Sequence, residues 1–318
     1  MNLAHRLCFA LALSGASAAH AADPADAIYD GGPILTMAGD APGYVEAVAV
    51  DDGRIVYAGT ADGAKAYAGP ETTRHDLGGR FMLPGFVDAH GHMVMGGLQA
   101  LSANMLAPPD GRITDVPGMI ATLKEWAKAN ASAVGKANVI LGFGYDNAQL
   151  KELRHPTKEE LDEVSKDIPV IVIHQSGHLA SANTAALKLA GYDSSTKNPD
   201  GGVIQRKPGS EEPNGTLEET AFFPLVGKVL ARIGPLGLEE FAKAGARQWT
   251  RFGYTTAQEA RSTPDVADVL RKLANESAFR IDVVTYPDVL ADRDYILKHV
   301  SSSYANRFRV AGAKLTID

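Results

Sequence analysis

The stretch that most restricts what this chain can build is an apolar run ending in two imidazoles, Leu83-Pro84-Gly85-Phe86-Val87-Asp88-Ala89-His90-Gly91-His92. On an extended strand, residues two apart share a face. His90 and His92 therefore read as neutral nitrogen donors converging on one divalent cation at the mouth of a strand. Zinc suits two imidazoles. With 9 histidines in 318 residues such a pair also arises by chance, so its weight rests on its flanks. Upstream, residues 46–58 read as two short strands around Asp52-Gly53, with Val48 and Val50, then Ile55 and Tyr57, alternating. A Gly-rich segment, His75-Asp76-Leu77-Gly78-Gly79-Arg80, leads from this hairpin into the next strand.

Composition points to a large globular protein. With 318 residues, 45% of them hydrophobic and 22% charged, the chain can bury a substantial core and is long enough for more than one domain. Its net charge of −7 comes without long runs or basic clusters, which speaks against a nucleic-acid partner. No segment is apolar enough for a membrane span.

The first residues read as an export signal. His5 and Arg6 precede the apolar run from Leu7 to Leu13, and Ala19-His20-Ala21 matches the A-x-A cleavage rule, so residues 1–21 are expected to be removed. Cys8 is the sole cysteine and lies inside that segment. A mature chain would carry no thiol, and any metal must be held by nitrogen and oxygen donors. Periplasmic or secreted localisation follows.

Beyond His92, helices and strands alternate. Val116, Met119, Ile120, Leu123, Trp126 and Ala127 have helical spacing. Residues 138–146 and 169–174 read as buried strands, Pro156-Thr157 as a helix start, and residues 183–191 as a helix stopped by Gly191. Residues 253–260 and 279–286 follow as strands, with helical patterns at 237–252 and 264–277. This alternation argues for a parallel sheet closing into a barrel, with chemistry at the C-terminal strand ends. In the last strand, residues 307–318, a period of two sets Leu315 and Ile317 on one face and Gly312, Lys314 and Thr316 on the other. Lys314 would point inward. A bare ammonium is costly in a dry interior, which favours the neutral amine, and that amine can take up carbon dioxide as a carbamate. A solvated lysine on an edge strand is the alternative.

Several motifs in order carry a resemblance to the amidohydrolase superfamily, specifically its amidohydrolase-3 (YtcJ-like) branch. They are Leu83 to His92, Gly142-Phe143-Gly144-Tyr145-Asp146, Arg154-His155-Pro156-Thr157 with Leu161-Asp162, His174 to His178 with Asn183, and Gly215-Thr216-Leu217-Glu218-Glu219. Arg80 departs from the lysine frequent at its position. The resemblance implies an α/β fold. Residues 22–80 would form a small β-domain, part of a composite sandwich. Residues 81–103 and 236–318 would form an incomplete (β/α) barrel of about four strands, and residues 104–235 an α/β insertion over the active site.

The resemblance also implies a ligand set: His90, His92 and Lys314, the last carboxylated and bridging, around one or two zinc ions. Tyr145, Asp146, His174, His178 and Glu218 would contact a small-molecule substrate. Each has a plainer reading as well, since Asp146 can cap a turn, Glu218 can open a helix and the two histidines can be structural. His155 reads as a loop residue, while His75 and His299 lack context.

The implied reaction is hydrolysis of a non-peptide C–N bond, in an amide, imide, urea or N-substituted formamide, by metal-activated water. The family's later histidines and its catalytic aspartate lie beyond residue 318 in this pattern, so the chain reads as a truncated form of doubtful activity. A homo-oligomer is compatible with this reading. The alternative is a non-catalytic secreted binding protein built on the same fold.

Overall fold

The computed structural model describes residues 23–315. The expected leader with its cleavage point, together with Thr316, Ile317 and Asp318, lies outside them. Two compact units divide after Pro84.

The first unit is built from strands β1 (Ala27–Asp30), β2 (Ile34–Thr36), β3 (Gly43–Val45), β4 (Ala47–Asp51) and β5 (Arg54–Gly59), helix α1 (Ala61–Ala64) and strand β6 (Thr73–Asp76). Its main sheet has the order β5-β4-β1-β6, with β1 and β6 parallel and the other pairs antiparallel. The expected hairpin is β4–β5. Asp52 and Gly53 both have positive φ, at 46° and 69°, the geometry a two-residue turn needs to match strand twist. The buried set is not the alternating one expected. Ala47, Val48 and Ala49 are covered, whereas Ile55 stays 68% exposed, because β4 is interior and β5 is an edge.

The second unit runs β7 (Phe86–Val87), α2 (Met93–Ala100), β8 (Ala103–Asn104), α3 (Val116–Ala129), α4 (Ala131–Ala137), β9 (Ile140–Tyr145), α5 (Lys158–Asp162), β10 (Val170–His174), β11 (Leu179–Ala182), α6 (Thr184–Ala190), β12 (Gly202–Arg206), β13 (Pro213–Glu219), α7 (Phe223–Arg251), β14 (Tyr254–Ser262), α8 (Pro264–Asn275), β15 (Asp282–Pro287), α9 (Arg293–His299) and β16 (Phe308–Val310). Two sheets result. One has six strands in the order β12-β13-β11-β10-β9-β8, with β8, β9 and β10 mutually parallel. The other has four parallel strands in the order β16-β15-β14-β7, and among the described residues it does not close on itself.

The continuous apolar runs of β9 and β10 are explained by burial on both faces. Ile140, Val170 and Val172 pack with Met119, Leu123 and Leu161 on one side. Leu141, Phe143, Ile171 and Ile173 pack with Leu187, Leu225 and Val229 on the other. Local capping sets the short helices. Thr157 and Glu160 close a capping box on α5, and Asn183 caps α6, which stops at Gly191 with φ 83°.

Helix α7 serves two cores because it is broken in the middle. Gly234 is non-helical with φ 70°, and Pro235 follows. Before the break, Leu225 and Val229 belong to the six-stranded core. After it, Ala242, Ala246 and Trp249 pack against Met93, Ala257 and Leu270 beside the parallel sheet. Helices α2 and α7 meet backbone to backbone: a Cβ on Gly97 would lie 1.7 Å from the Phe241 carbonyl oxygen, and one on Gly245 would lie 2.0 Å from that of Met93.

Candidate metal and substrate site

The strand reading of the histidine pair needs correction. Strand β7 ends at Val87. The Asp88 amide still joins the ladder by donating to the Thr256 carbonyl at 3.0 Å, but the chain then turns. Asp88 Oδ1 accepts the His90 amide two residues on, at 3.2 Å, the hydrogen bond of an Asx turn. His92 then pairs antiparallel with Glu259 and forms the N-terminal boundary of α2. The rings therefore converge from a bend rather than from one strand face. Their centroids are 5.5 Å apart and their planes 83° apart. Among the described residues, neither ring makes a hydrogen bond to the protein.

Two carboxylates lie behind this bend. Asp88 Oδ2 accepts the Trp249 indole N–H at 2.6 Å and the Gln258 amide at 3.1 Å. A Cβ on Gly91 would sit 2.2 Å from Asp88 Oδ2, so only glycine lets the bend close over it. Glu259 is 4% exposed; its Oε2 accepts the Val94 amide at 2.7 Å, and its Oε1 stands 3.6 Å from His92 Nδ1. Sequence reasoning alone picks out neither Glu259 nor Trp249. The available signal was an acidic residue inside a buried strand segment.

Lys314 lies at the same, C-terminal end of the parallel sheet. The ladder with β15 lapses after Val310, because Pro287 has no N–H to donate, and resumes where Lys314 pairs with Asp288. The Lys314 amide donates to the Pro287 carbonyl at 2.9 Å, and the Val289 amide donates to the Lys314 carbonyl at 3.1 Å. Among the described residues, the uninterrupted strand expected over 307–318 thus gives way to β16 plus one isolated pair. The Lys314 side chain is half-buried, and Leu315 is exposed.

The second polar group crowns the C-terminal ends of β9 and β10. Tyr145 is fully buried. Its hydroxyl meets His155 Nδ1 at 2.9 Å and Ser181 Oγ at 3.1 Å. The Ser176 amide donates to His174 Nδ1 at 3.1 Å, which leaves the proton on Nε2, facing Asp146 Oδ1 at 3.5 Å. Burial pushes the Tyr145 phenol up, opposed by Ser181 and aided by Asp146 and Glu218. Burial also pulls the His155 imidazole down, as does the neighbouring His174, against Glu218 and Asp146. The Gln149 amide leads the contacts holding Asp146 below the usual carboxylate range, with burial opposing.

His155, expected as a loop residue, does come from a loop. Its ring nonetheless stands 5.9 Å from that of Tyr145 and 6.4 Å from that of His174, centroid to centroid. His178 is exposed and donates from Nδ1 to Glu219 at 3.0 Å. Glu218, expected as a substrate contact or the opening of a helix, accepts the Gln205 side-chain amide at 2.5 Å from within β13 and does not open a helix. Outside this group, His75 stacks on Tyr29 and His299 bonds the Tyr295 carbonyl. The loop carrying His174 and His178 adjoins α2, since a Cβ on Gly177 would lie 3.6 Å from Met95 Sδ, three residues after His92.

Among the described residues, no group of three or more His, Cys, Asp or Glu side chains is arranged to hold a metal ion. The His90–His92 pair fits a divalent cation in donor type and mutual approach. It supplies two donors of the four a tetrahedral zinc site takes.

Comparison with known proteins agrees with these motifs. The model of the amidohydrolase-3 family, described as an amidohydrolase family, matches residues 75–318. The N-substituted formamide deformylase of Arthrobacter pascens is 33% identical over 176 residues, which are 55% of this chain and 31% of that protein. The putative amidohydrolase YtcJ of Bacillus subtilis is 32% identical over 227 residues, 71% of this chain and 41% of that one. An uncharacterized metal-dependent hydrolase from Pyrococcus horikoshii superposes with a TM-score of 0.65 at 21% identity, covering 90% of this chain and 53% of that structure, and so shares the fold. The matches thus span well under half the length of these two curated relatives. With the family model covering the parallel sheet, the six-stranded sheet and the histidine bend alike, the chain belongs to the amidohydrolase family, in its amidohydrolase-3, YtcJ-like branch.

Proposed function

We propose that this chain forms the metal-binding part of a hydrolase that cleaves a non-peptide C–N bond in a small exported-compartment substrate. The observation that carries the reading is the pair of imidazoles without partners among the described residues, held at the C-terminal end of a parallel sheet by a bend that the half-buried Asp88 and buried Glu259 carboxylates brace. Such strand ends are where barrel enzymes of this architecture place their chemistry, and we read the four parallel strands as part of such a barrel.

His90 and His92 would be the nitrogen donors, with Lys314 a third ligand from the far strand, as its carbamate. Zinc is the ion this donor set suits best. When bound, a divalent cation supplies Lewis acidity, bringing water toward ionisation near neutral pH and polarising a carbonyl. The chain's own residues orient the parts. Asp88 holds the bend, Glu259 backs His92, and the loop bearing His174 and His178 lies beside α2. Asp146 and Glu218 would accept hydrogen bonds from a substrate amide, while His174, its Nε2 proton directed to Asp146, is held in one orientation. Tyr145 is sealed from solvent, so its contribution is to fix His155 rather than to touch the substrate. The formamide deformylase among the relatives makes N-substituted formamides the first substrates to try, ahead of linear amides, cyclic imides and ureas.

The test uses protein purified with added zinc and assayed for amine release from an N-substituted formamide series. Stoichiometric zinc, lost together with turnover in His90→Ala, is the expected result. A second reading, a binding protein without chemistry, is favoured by the two-donor count. It predicts zinc-free protein whose ligand affinity is the same in His90→Ala.

A further inference from the structure

We propose that Glu259 is a positioning residue that fixes the proton of His92 on Nδ1 and thereby presents Nε2 as the donor atom of the histidine bend. The inference rests on the metal-site reading above but concerns a tautomer and a donor atom that reading does not specify. Three observations carry it. Glu259 is buried at the inner end of the bend, with a side chain only 5% exposed, so its carboxylate cannot satisfy itself with bulk water. Its Oε2 is anchored by the Val94 amide in the first turn of α2 at 2.7 Å, which sets the plane of the carboxylate. Its Oε1 accepts no hydrogen bond among the described residues and faces His92 Nδ1 at 3.6 Å.

At that separation no formed hydrogen bond joins the two atoms, yet their electrostatics admit only one arrangement. A lone pair on Nδ1 would oppose an anionic oxygen, whereas an N–H there is attracted to it. The proton belongs on Nδ1, and the lone pair on Nε2, which has no protein partner among the described residues. Backbone pairing reinforces the geometry. His92 and Glu259 form an antiparallel bridge, and the Ala260 amide donates to the Gly91 carbonyl at 2.8 Å, so the backbones that carry the two side chains are held side by side. A carboxylate behind a ligating imidazole typically accounts for 10- to 100-fold in metal affinity, roughly the size of effect expected here.

The experiment is nitrogen-15 NMR of the full chain labelled at histidine, without metal, at about pH 9, where free imidazole is neutral. The His92 signals are identified by their absence in His92→Gln. Wild-type protein should show His92 as the Nδ1–H tautomer. In Glu259→Gln the amide carbonyl can keep the Val94 hydrogen bond while its NH2 faces Nδ1, so the ring should switch to Nε2–H. Zinc affinity, measured against a chromophoric chelator, should fall about 10- to 100-fold. Glu259→Ala gives the same readout if the glutamine variant does not fold. A wild-type Nε2–H tautomer overturns the proposal, as does an unchanged tautomer in a folded variant. Wild-type protein that binds no zinc while its tautomer still depends on Glu259 sinks the hydrolase reading and leaves the positioning role intact. Zinc binding with an indifferent tautomer does the reverse.

Discussion

The indole N–H of Trp249 donates to Asp88 Oδ2 at 2.6 Å across 161 residues of sequence, tying the post-kink half of α7 to the bend that carries His90 and His92. Trp249→Phe keeps most of the ring volume and removes the donor. Loss of a hydrogen bond to a charged group should cost about 1.5–3 kcal/mol in urea denaturation. Asp88→Asn should cost at least as much, because an amide replaces an anion that now gathers three N–H donors, and it should also weaken zinc binding. Equal zinc affinity in both variants and wild type would show that the bend is rigid without this contact.

Close approach of α2 to α7 places the start of α2, and hence His92. Gly245→Ala sets a methyl group against the Met93 carbonyl, a backbone atom that cannot rotate away. Overpacking of this kind costs about 1–3 kcal/mol. Thermal unfolding should shift down and zinc affinity should fall with it. A variant as stable as wild type would mean that the two helices separate freely.

The Tyr145 cluster should make the protein acid-sensitive. Burial keeps the folded His155 imidazole harder to protonate than in the unfolded chain. The unfolded state therefore binds the proton first. Stability is complete above the ordinary imidazole value of about 6.5 and is lost as pH falls through the lower folded value. His155→Gln retains an acceptor for the Tyr145 hydroxyl but cannot titrate. Its unfolding free energy should decline less steeply than that of wild type as the pH falls below about 6.5. Parallel slopes would place the acid sensitivity elsewhere.

Lys314 provides a mass signature. Protein loaded with zinc in bicarbonate should carry the added mass of one carbon dioxide under native ionisation and lose it on acidification. Lys314→Met should lack the adduct and hold less zinc. An adduct that persists in Lys314→Met would assign the modification to another amine.

Where local rules suffice, the elements were readable in advance. Strands β9 and β10, the helix start at Thr157, the Asn183-to-Gly191 helix and the Asp52-Gly53 hairpin each follow from residue types within a few positions of one another. Family motifs likewise brought out His90, His92, Tyr145, Asp146 and His174. His90 and His92 do not share a strand face: periodicity assumes that a strand continues, and an Asx turn from Asp88 ends it at Val87. The break before Lys314 came from Pro287, whose missing N–H matters only once its partner strand is known. His155 looked like an ordinary loop residue until Tyr145 and His174 were set around it.

What the sequence by itself determined is the inventory and its order: alternating strands and helices, their caps and breaks, and an imidazole pair at the end of an apolar run. These are short-range properties, written in propensity, capping chemistry and hydrophobic period. Only the tertiary structure decided which groups face one another. The contacts that shape the site, Trp249 with Asp88, Glu259 with His92, Tyr145 with His155 and Ser181, and Gly97 with Gly245 between α2 and α7, join elements by packing and pairing register. A single sequence does not state that register, because any of several exposed faces satisfies the same local pattern.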